Sequence, residues 1–298
     1  MDILGDVVLR PAFPDEEVEY ARAAVAFEND DIAMRPDQET LLTEAVHAAA
    51  FSGNTLGLPK FAPAESLDQI NRAVLHNYMA QYHTPDRMVL AGVGVDHDRL
   101  VAAAQKHFVD AQPVWQASSS SPAKRDNSLA QYTGGLVTIE KDLSNASLGP
   151  TPMPDLAHLA LGLESVSHQH DDFIAFCVLN MLMGGGGSFS AGGPGKGMYT
   201  RLYTSVLNRH HWMYSSTAFN HAYGDAGLFC VASSCPPSML GDMTSVVVKE
   251  LLRLTQPIGK EEFERAKKQL TSMLLMNLEA RPVIFEDVAR QVCVLTVF

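Results

Sequence analysis

The sequence predicts a two-domain chain of helices and antiparallel strands, and three observations carry that expectation. A short motif occurs twice: Glu16-Glu17-Val18-Glu19-Tyr20-Ala21-Arg22 is echoed by Glu261-Glu262-Phe263-Glu264-Arg265-Ala266-Lys267, and at almost the same distance each copy leads to an Arg-Pro pair, Arg35-Pro36 and Arg281-Pro282. Self-similarity at a matching offset is the mark of duplication. A polar stretch over 110–135, with Pro113, Ser118 to Ser121, Pro122 and Lys124-Arg125, reads as an interdomain linker. Two β-prone runs, Trp212 to Asn220 and Gly227 to Ser233, flank Tyr223-Gly224-Asp225 and read as a hairpin.

The elements follow in order. Asp15 reads as an N-cap, with Glu16 and Glu17 in the first turn where the helix dipole favours acids; Val18, Ala21, Val25 and Ile32 share one stripe. Pro36 opens a second helix with Leu41, Leu42, Ala45, Val46 and Ala49 apolar, closed by Gly53-Asn54. Ser66-Leu67-Asp68-Gln69 reads as a capping box before Ile70, Val74 and Tyr78. Thr84-Pro85-Asp86 turns the chain into a strand from Met88 to Val93, and Asp96 caps the next helix. Beyond the linker come a strand near Leu156 to Leu163, an apolar helix from Phe173 to Met183, and a helix from Met198. The hairpin is followed by a helix capped by Ser238 and ending at Leu254, then a long helix from Glu261 to about Leu278.

The repeat also speaks about the ends. After Pro36 the first copy continues 58 residues to Gly94, whereas 16 residues follow Pro282. More than a hundred residues separate Gly134 from Glu261, whereas 15 precede Glu16. Two related domains, each cut at its outer end, are expected: 1–109, then the linker 110–135, then 136–298.

Composition narrows the function classes. With 298 residues and 46% hydrophobic, the chain has enough apolar side chain to bury a sizeable core. No apolar run approaches the roughly 18 residues that a membrane helix needs. The net charge of −12 is uneven, about −10 falling in residues 1–110 and −2 in the rest. Nucleic acid is thereby disfavoured, since phosphate binding needs a basic face. A basic partner suits the first half, beside the plainer reading of solvated surface. Four cysteines, Cys177, Cys230, Cys235 and Cys293, form no C-x-x-C pair, which points to a reducing compartment. The first residues, MDILGDVVLR, read as neither signal nor transit peptide, so no organellar address is expected in this copy.

One stretch stands out between the apolar helix and the helix from Met198. GGGGSFSAGGPGKG, 184–197, holds eight glycines in fourteen residues. Glycine loses the most backbone entropy on ordering, so this reads as a surface loop, either a flexible connector or a functional one. Its length favours function. Phosphate binding fails on spacing: Ser190 stands where a P-loop needs its first glycine, and Gly197 follows Lys196 where Ser or Thr is needed. No G-x-G-x-x-G register fits, and the loop follows a helix instead of a strand.

Eleven histidines invite a search for metal ligands, but neither H-E-x-x-H nor H-x-x-E-H occurs. His168-Gln169-His170-Asp171-Asp172 fits a polar helix start, and His210-His211 would point to opposite faces of a strand. Ser188 and Ser190 have no base nearby and lie in a loop, a poor place to hold a nucleophile. No self-sufficient active site is legible.

The run from Leu179 to Ser215, together with Tyr82 to Gly94 and Asn277 to Val288, resembles the pitrilysin-type zinc peptidases with the inverted motif H-x-x-E-H. Within them, it resembles the non-catalytic alpha subunits of the heterodimeric enzymes that remove mitochondrial presequences. The match covers nearly the whole chain, and the glycine loop is its most specific part. The resemblance implies an α+β fold of two related domains, each an antiparallel sheet with helices packed on it, both incomplete here at their outer ends. It implies no catalytic residue and no cofactor in this chain, with zinc held by a partner beta subunit. Glu28 matches the position of a further zinc glutamate, but without the motif it is expected to be a surface acid. It also implies a location in the mitochondrial matrix, free or at the inner membrane. The substrate-binding residues it points to are Gly184, Gly185, Gly186, Gly187, Ser188, Phe189, Ser190, Gly192, Gly193, Gly195, Lys196 and Gly197. The ligands would be Arg-rich presequence peptides, which the acids Glu16, Glu17, Glu19, Glu28, Asp30 and Asp31 would attract. The departures from the family pattern are the missing zinc-motif end and the tail after Gln291. The alternative reading is a structural core subunit of the respiratory cytochrome bc1 complex, which shares the fold. A third reading, a peptidase active by itself, would bind zinc stoichiometrically.

Overall fold

The computed structural model describes residues 1–35, 38–117, 128–142, 154–187 and 198–295. In chain order the helices are α1 Asp2–Leu9, α2 Asp15–Met34, α3 Glu39–Ala50, α4 Ala64–Leu67, α5 Arg72–Tyr82, α6 His97–Ala104, α7 Phe173–Met183, α8 Leu240–Arg253, α9 Lys260–Asn277 and α10 Arg281–Leu295. The strands are β1 Ala157–Ser165, β2 Gly185–Gly187, β3 Ser215–Ala222 and β4 Gly227–Cys235. The chain divides into two units, 1–29 with 61–127 and 278–298, and 30–60 with 128–277.

The first unit is helical. Leu9, Met79 and Trp115 are buried together, with Val8, Phe13, Ala80, Met88, Phe108 and Ala111 packed around them. Asn71 caps α5, its side-chain oxygen accepting from the Ala73 and Val74 N–H groups at 3.0 and 3.1 Å. The expected capping box at Ser66 is thus replaced: α4 ends at Leu67, and a fresh helix begins after Asn71. Asp96 does cap α6, accepting from Arg99 N–H at 3.0 Å. Met88 to Val93 forms no strand. Its apolar run has no neighbouring strand among the described residues of this unit, and a strand without a ladder leaves its backbone groups unpaired.

The second unit holds a four-stranded sheet, order β1-β4-β3-β2, every neighbouring pair antiparallel. β4 is central and buried along nearly its whole length, so its sequence reads as a continuous apolar and small-residue run. Its period of two sorts its side chains onto two faces. Phe229, Val231 and Cys235 join Met181, Leu182, Met183, Leu202, Tyr203, Val206, Met243 and Val247 in the larger core, under α7, α8 and α9. Leu228 and Cys230 meet Val46, Ala50 and Phe51 of α3 and its C-terminal end on the other face. Gly162 permits that approach: a Cβ there would sit 3.0 Å from Val46 Cγ2 and 3.1 Å from Leu228 Cδ1. Serines in the β3–β4 ladder satisfy each other across the strands, the buried pair Ser216 Oγ and Ser233 Oγ at 2.9 Å and the half-buried Ser215 Oγ with the buried Ser234 Oγ at 2.5 Å.

Residues 130–134 seat on the end of α3. The N–H groups of Thr133 and Gly134 donate to Ala50 O at 2.8 and 3.3 Å, satisfying a carbonyl that the helix end leaves open. The hairpin forms as expected. The helix expected from Met198 is instead a π-helical turn, Leu202–Leu207. Ser238 does not cap α8: it lies in a 3-10 turn, Pro237–Met239, and α8 begins at Leu240. The architecture is α+β.

Candidate functional site

The site is built where α7 ends. Met181, Leu182 and Met183 are buried in the core, which fixes the helix end. Gly184 then breaks the helix with φ 55° and ψ −123°, angles open to glycine and strained for other residues. Its carbonyl accepts from Ala218 N–H at 2.8 Å. Gly185, Gly186 and Gly187 form β2 and pair antiparallel with Thr217, Ser216 and Ser215 of β3. A Cβ on Gly185 would lie 2.0 Å from Ser216 O, so side-chain-free backbone is needed for this ladder. Gly184 thus ends the helix, and the next three glycines are a strand at one edge of the sheet. Ser188, Phe189, Ser190, Gly192, Gly193, Gly195, Lys196 and Gly197 lie outside the described residues.

The chain is held as firmly where the description resumes. Thr200 is 4% exposed, and its Oγ1 accepts from Gly185 N–H at 3.2 Å, tying the far end of the segment to its beginning. Its methyl fills the space beside Gly184, where a Cβ would come within 2.3 Å of Thr200 Cγ2. Arg201 forms a two-pronged pair with Glu262 in the first turn of α9, Nε to Oε1 at 2.6 Å and Nη2 to Oε2 at 3.0 Å. Hydrogen bonding to Glu262 raises the Arg201 pKa against the opposing effect of burial, so the guanidinium stays charged. Leu202, Tyr203 and Val206 of the π turn are completely buried. A small cavity of about 30 Å³, room for about one water, lies among Asn180, Met181, Gly184, Gly185, Thr200, Thr217 and Ala218. Chemically, the described residues of the segment offer backbone groups on a mount fixed at both ends.

Glu28 is exposed on α2, as are Glu16, Glu17, Glu19 and Asp30, while Asp31 is half-buried and hydrogen-bonded to Arg35 Nε at 2.8 Å. No three His, Cys, Asp or Glu side chains form a metal-competent group among the described residues. No helix among them is long and apolar enough to cross a membrane.

Sequence reasoning missed a second polar cluster. His47 of α3 bonds Thr43 O through Nδ1 at 2.7 Å and Tyr223 OH through Nε2 at 2.7 Å. A carbonyl only accepts, so Nδ1 carries the proton and Tyr223 donates to Nε2. The His221 ring stands edge-on to His47 at 4.9 Å, and its buried Nε2 has no partner among the described residues. Burial, then the charges of His47 and Lys60, push the His221 pKa down to about 4; burial chiefly lowers that of His47 too. Both imidazoles are neutral at physiological pH, and the cluster is a buried polar joint between α3 and β3. Partners 176 residues apart give no local signal.

Known proteins match along almost the whole chain. The family model described as insulinase (peptidase family M16) matches residues 1–64, and that described as peptidase M16 inactive domain matches 69–270. The mitochondrial-processing peptidase subunit alpha of Homo sapiens is 57% identical over 290 residues, 97% of this chain and 55% of the relative. The subunit of the same name from Caenorhabditis elegans is 46% identical over 97% of this chain and 57% of its own length; that from Solanum tuberosum is 34% identical over 98% and 54%. The chain thus spans little more than half the length of these curated relatives. A solved structure titled Complex III2 from Candida albicans, Inz-5 bound, superposes with a TM-score of 0.76 at 19% identity over 98% of this chain and 64% of its own, which shows the shared fold. With an M16 domain model matched over most of its length, and relatives this similar from end to end, the chain belongs to peptidase family M16.

Proposed function

We propose that this chain acts as the non-catalytic, substrate-recognising alpha-type subunit of a heterodimeric mitochondrial processing peptidase, with the glycine segment 184–197 contacting the presequence. The observation that carries the reading is the mounting of that segment: Gly184 to Gly187 are built into the sheet, and Thr200 ties the other end back to Gly185. A scaffold that holds both flanks of a loop limits where a ligand can meet it. Glycine backbone offers N–H and C=O groups without side-chain selection, which suits peptides that share composition more than sequence. Phe189 would add an apolar contact. In this reading the beta subunit supplies zinc and the chemistry, the peptides are Arg-rich, and the setting is the mitochondrial matrix. The division into 1–109, 110–135 and 136–298 belongs to the same reading and is supported by the internal repeat.

The test is deletion of 184–197 in the chain assembled with the zinc-bearing subunit. Weaker presequence binding and a raised KM are expected; unchanged binding and cleavage would sink the role of the segment. The second reading, a respiratory core subunit, draws on the fold shared with complex III. Co-purification with respiratory subunits and not with a zinc-bearing partner would favour it.

A further inference from the structure

We propose that residues 135–141 are an exposed strand that pairs antiparallel with the same residues of a second copy of this chain. The run Gly135-Leu136-Val137-Thr138-Ile139-Glu140-Lys141 lies within the second unit and forms no helix, ladder, turn or bend. Both of its ends are pinned. Gly134 N–H donates to Ala50 O at 3.3 Å, and Gly135 sits so close to α3 that a Cβ would lie 2.7 Å from Ala49 O. At the other end Lys141 Nζ donates to Ala33 O at 2.5 Å, near the C-terminus of α2, where open carbonyls favour a cation. Between these anchors the N–H and C=O groups of Leu136 to Glu140 enter no backbone hydrogen bond among the described residues. The apolar side chains face solvent as well: Leu136 is 89% exposed, Ile139 65% and Val137 43%.

Unpaired backbone groups beside exposed apolar side chains are a template for another strand. Three consecutive β-branched residues, Val137-Thr138-Ile139, suit a pleated ladder, and Gly135 to Ile139 carries no lysine or proline to blunt it. Anchoring at both ends has already ordered the backbone, which lowers the entropy lost on association. A second copy is the occupant that fits, because the run is self-complementary about Thr138. Antiparallel pairing on a two-fold axis sets Val137 opposite the copy's Ile139, and Ile139 opposite its Val137, so four β-branched side chains meet on one face. Gly135 then lies opposite Lys141, leaving room for its side chain, and Leu136 packs on the methylenes of Glu140. Glu140 and Lys141 offset each other, so the strip has no net charge with which to select a charged partner. One strand pair is small for a protein interface, and a reversible dimer of micromolar affinity is expected.

The experiment is sedimentation velocity of the full chain over rising concentration. Growth of a dimer is expected, with Ile139→Lys and Thr138→Pro each weakening association by about tenfold or more. Both positions lie outside any helix or ladder, so Tm should match the parent and separate lost pairing from lost folding. Thr138→Cys reads the register: at the two-fold axis its Cα atoms would stand about 4.5–5.5 Å apart, within disulfide range. Mild oxidation should link two such copies through Cys at 138, identified by mass spectrometry, and far faster than it links Leu129→Cys, an exposed position off the run. A chain that stays monomeric at its highest soluble concentration overturns the proposal. So does a dimer that Ile139→Lys and Thr138→Pro leave undiminished, or one in which Thr138→Cys links no faster than Leu129→Cys.

Discussion

Gly184 combines a backbone geometry that side chains resist with a neighbour that leaves no room for one. Gly184→Ala would force φ away from 55° or press a methyl into Thr200 Cγ2, at 2.3 Å. Strain of about 1–3 kcal/mol and overpacking of about 1–3 kcal/mol act together, so a loss of about 3 kcal/mol is expected, read as a lower urea midpoint at unchanged m. Gly224, with open space around it, serves as the control: an alanine there should change stability by less than about 0.5 kcal/mol. His221 gives a pH signature. Its folded pKa of about 4 lies below the ordinary 6.5, so on acidification the unfolded chain takes up the proton first. The stability it allows is complete above pH 6.5 and is lost as pH falls from 6.5 towards 4. After allowance for partial solvent access the loss amounts to about 2 kcal/mol, and His221→Phe should flatten the stability profile across that window. A profile as steep as the parent's would show that other groups drive the acid response. The glycines were legible in the sequence because composition alone marks them. Thr200 and the Arg201–Glu262 pair were not, since contacts spanning 15 and 61 residues obey no local period.

At the scale of elements, the β3–β4 hairpin shows how polar side chains can sit inside a sheet. Ser216 and Ser233 are both buried and bond each other at 2.9 Å. Changing either one to Val strands the other hydroxyl, at about 1–2 kcal/mol; changing both removes the need and should be close to neutral. A double-mutant cycle by urea unfolding measures this, and strictly additive losses would show that the two hydroxyls do not act as a pair. This hairpin was readable because its β-prone runs and the turn between them agree, as was the apolar helix before the glycine segment. Elsewhere local signals competed. Ser66 and Asn71 both offer capping side chains within six residues, and the one that directly precedes the longer helix took the role. Met88 to Val93 has strand-like composition, but pairing needs a neighbour, and a sequence pattern cannot supply one. The stripe on α3 announced a buried helix without saying which sheet would bury it; the answer, β1 and β4, lies more than a hundred residues downstream.

At the scale of the whole chain, both copies of the repeated motif start a helix. α2 and α9 each begin with acids and run to an Arg at the start of the next segment, Arg35 before α3 and Arg281 in the first turn of α10. The charge is less even-handed. About −10 of the net −12 lies in residues 1–110, and Glu16, Glu17, Glu19, Glu28 and Asp30 are exposed on one helix. Exposed like charges contribute little to stability, but their summed field speeds the approach of a cation. The association rate of an Arg-rich peptide should therefore fall steeply with salt, because the Debye length shrinks from about 30 Å at 0.01 M to about 10 Å at 0.1 M. Replacing Glu16, Glu17 and Glu19 by Gln should lower that rate several-fold at low salt and converge with the parent at high salt. Dissociation should stay within about twofold, since long-range steering acts before contact. Stopped-flow binding with the heterodimer proposed above separates the two rates. A triple variant whose dissociation accelerates while its association holds would place these acids in the contact itself.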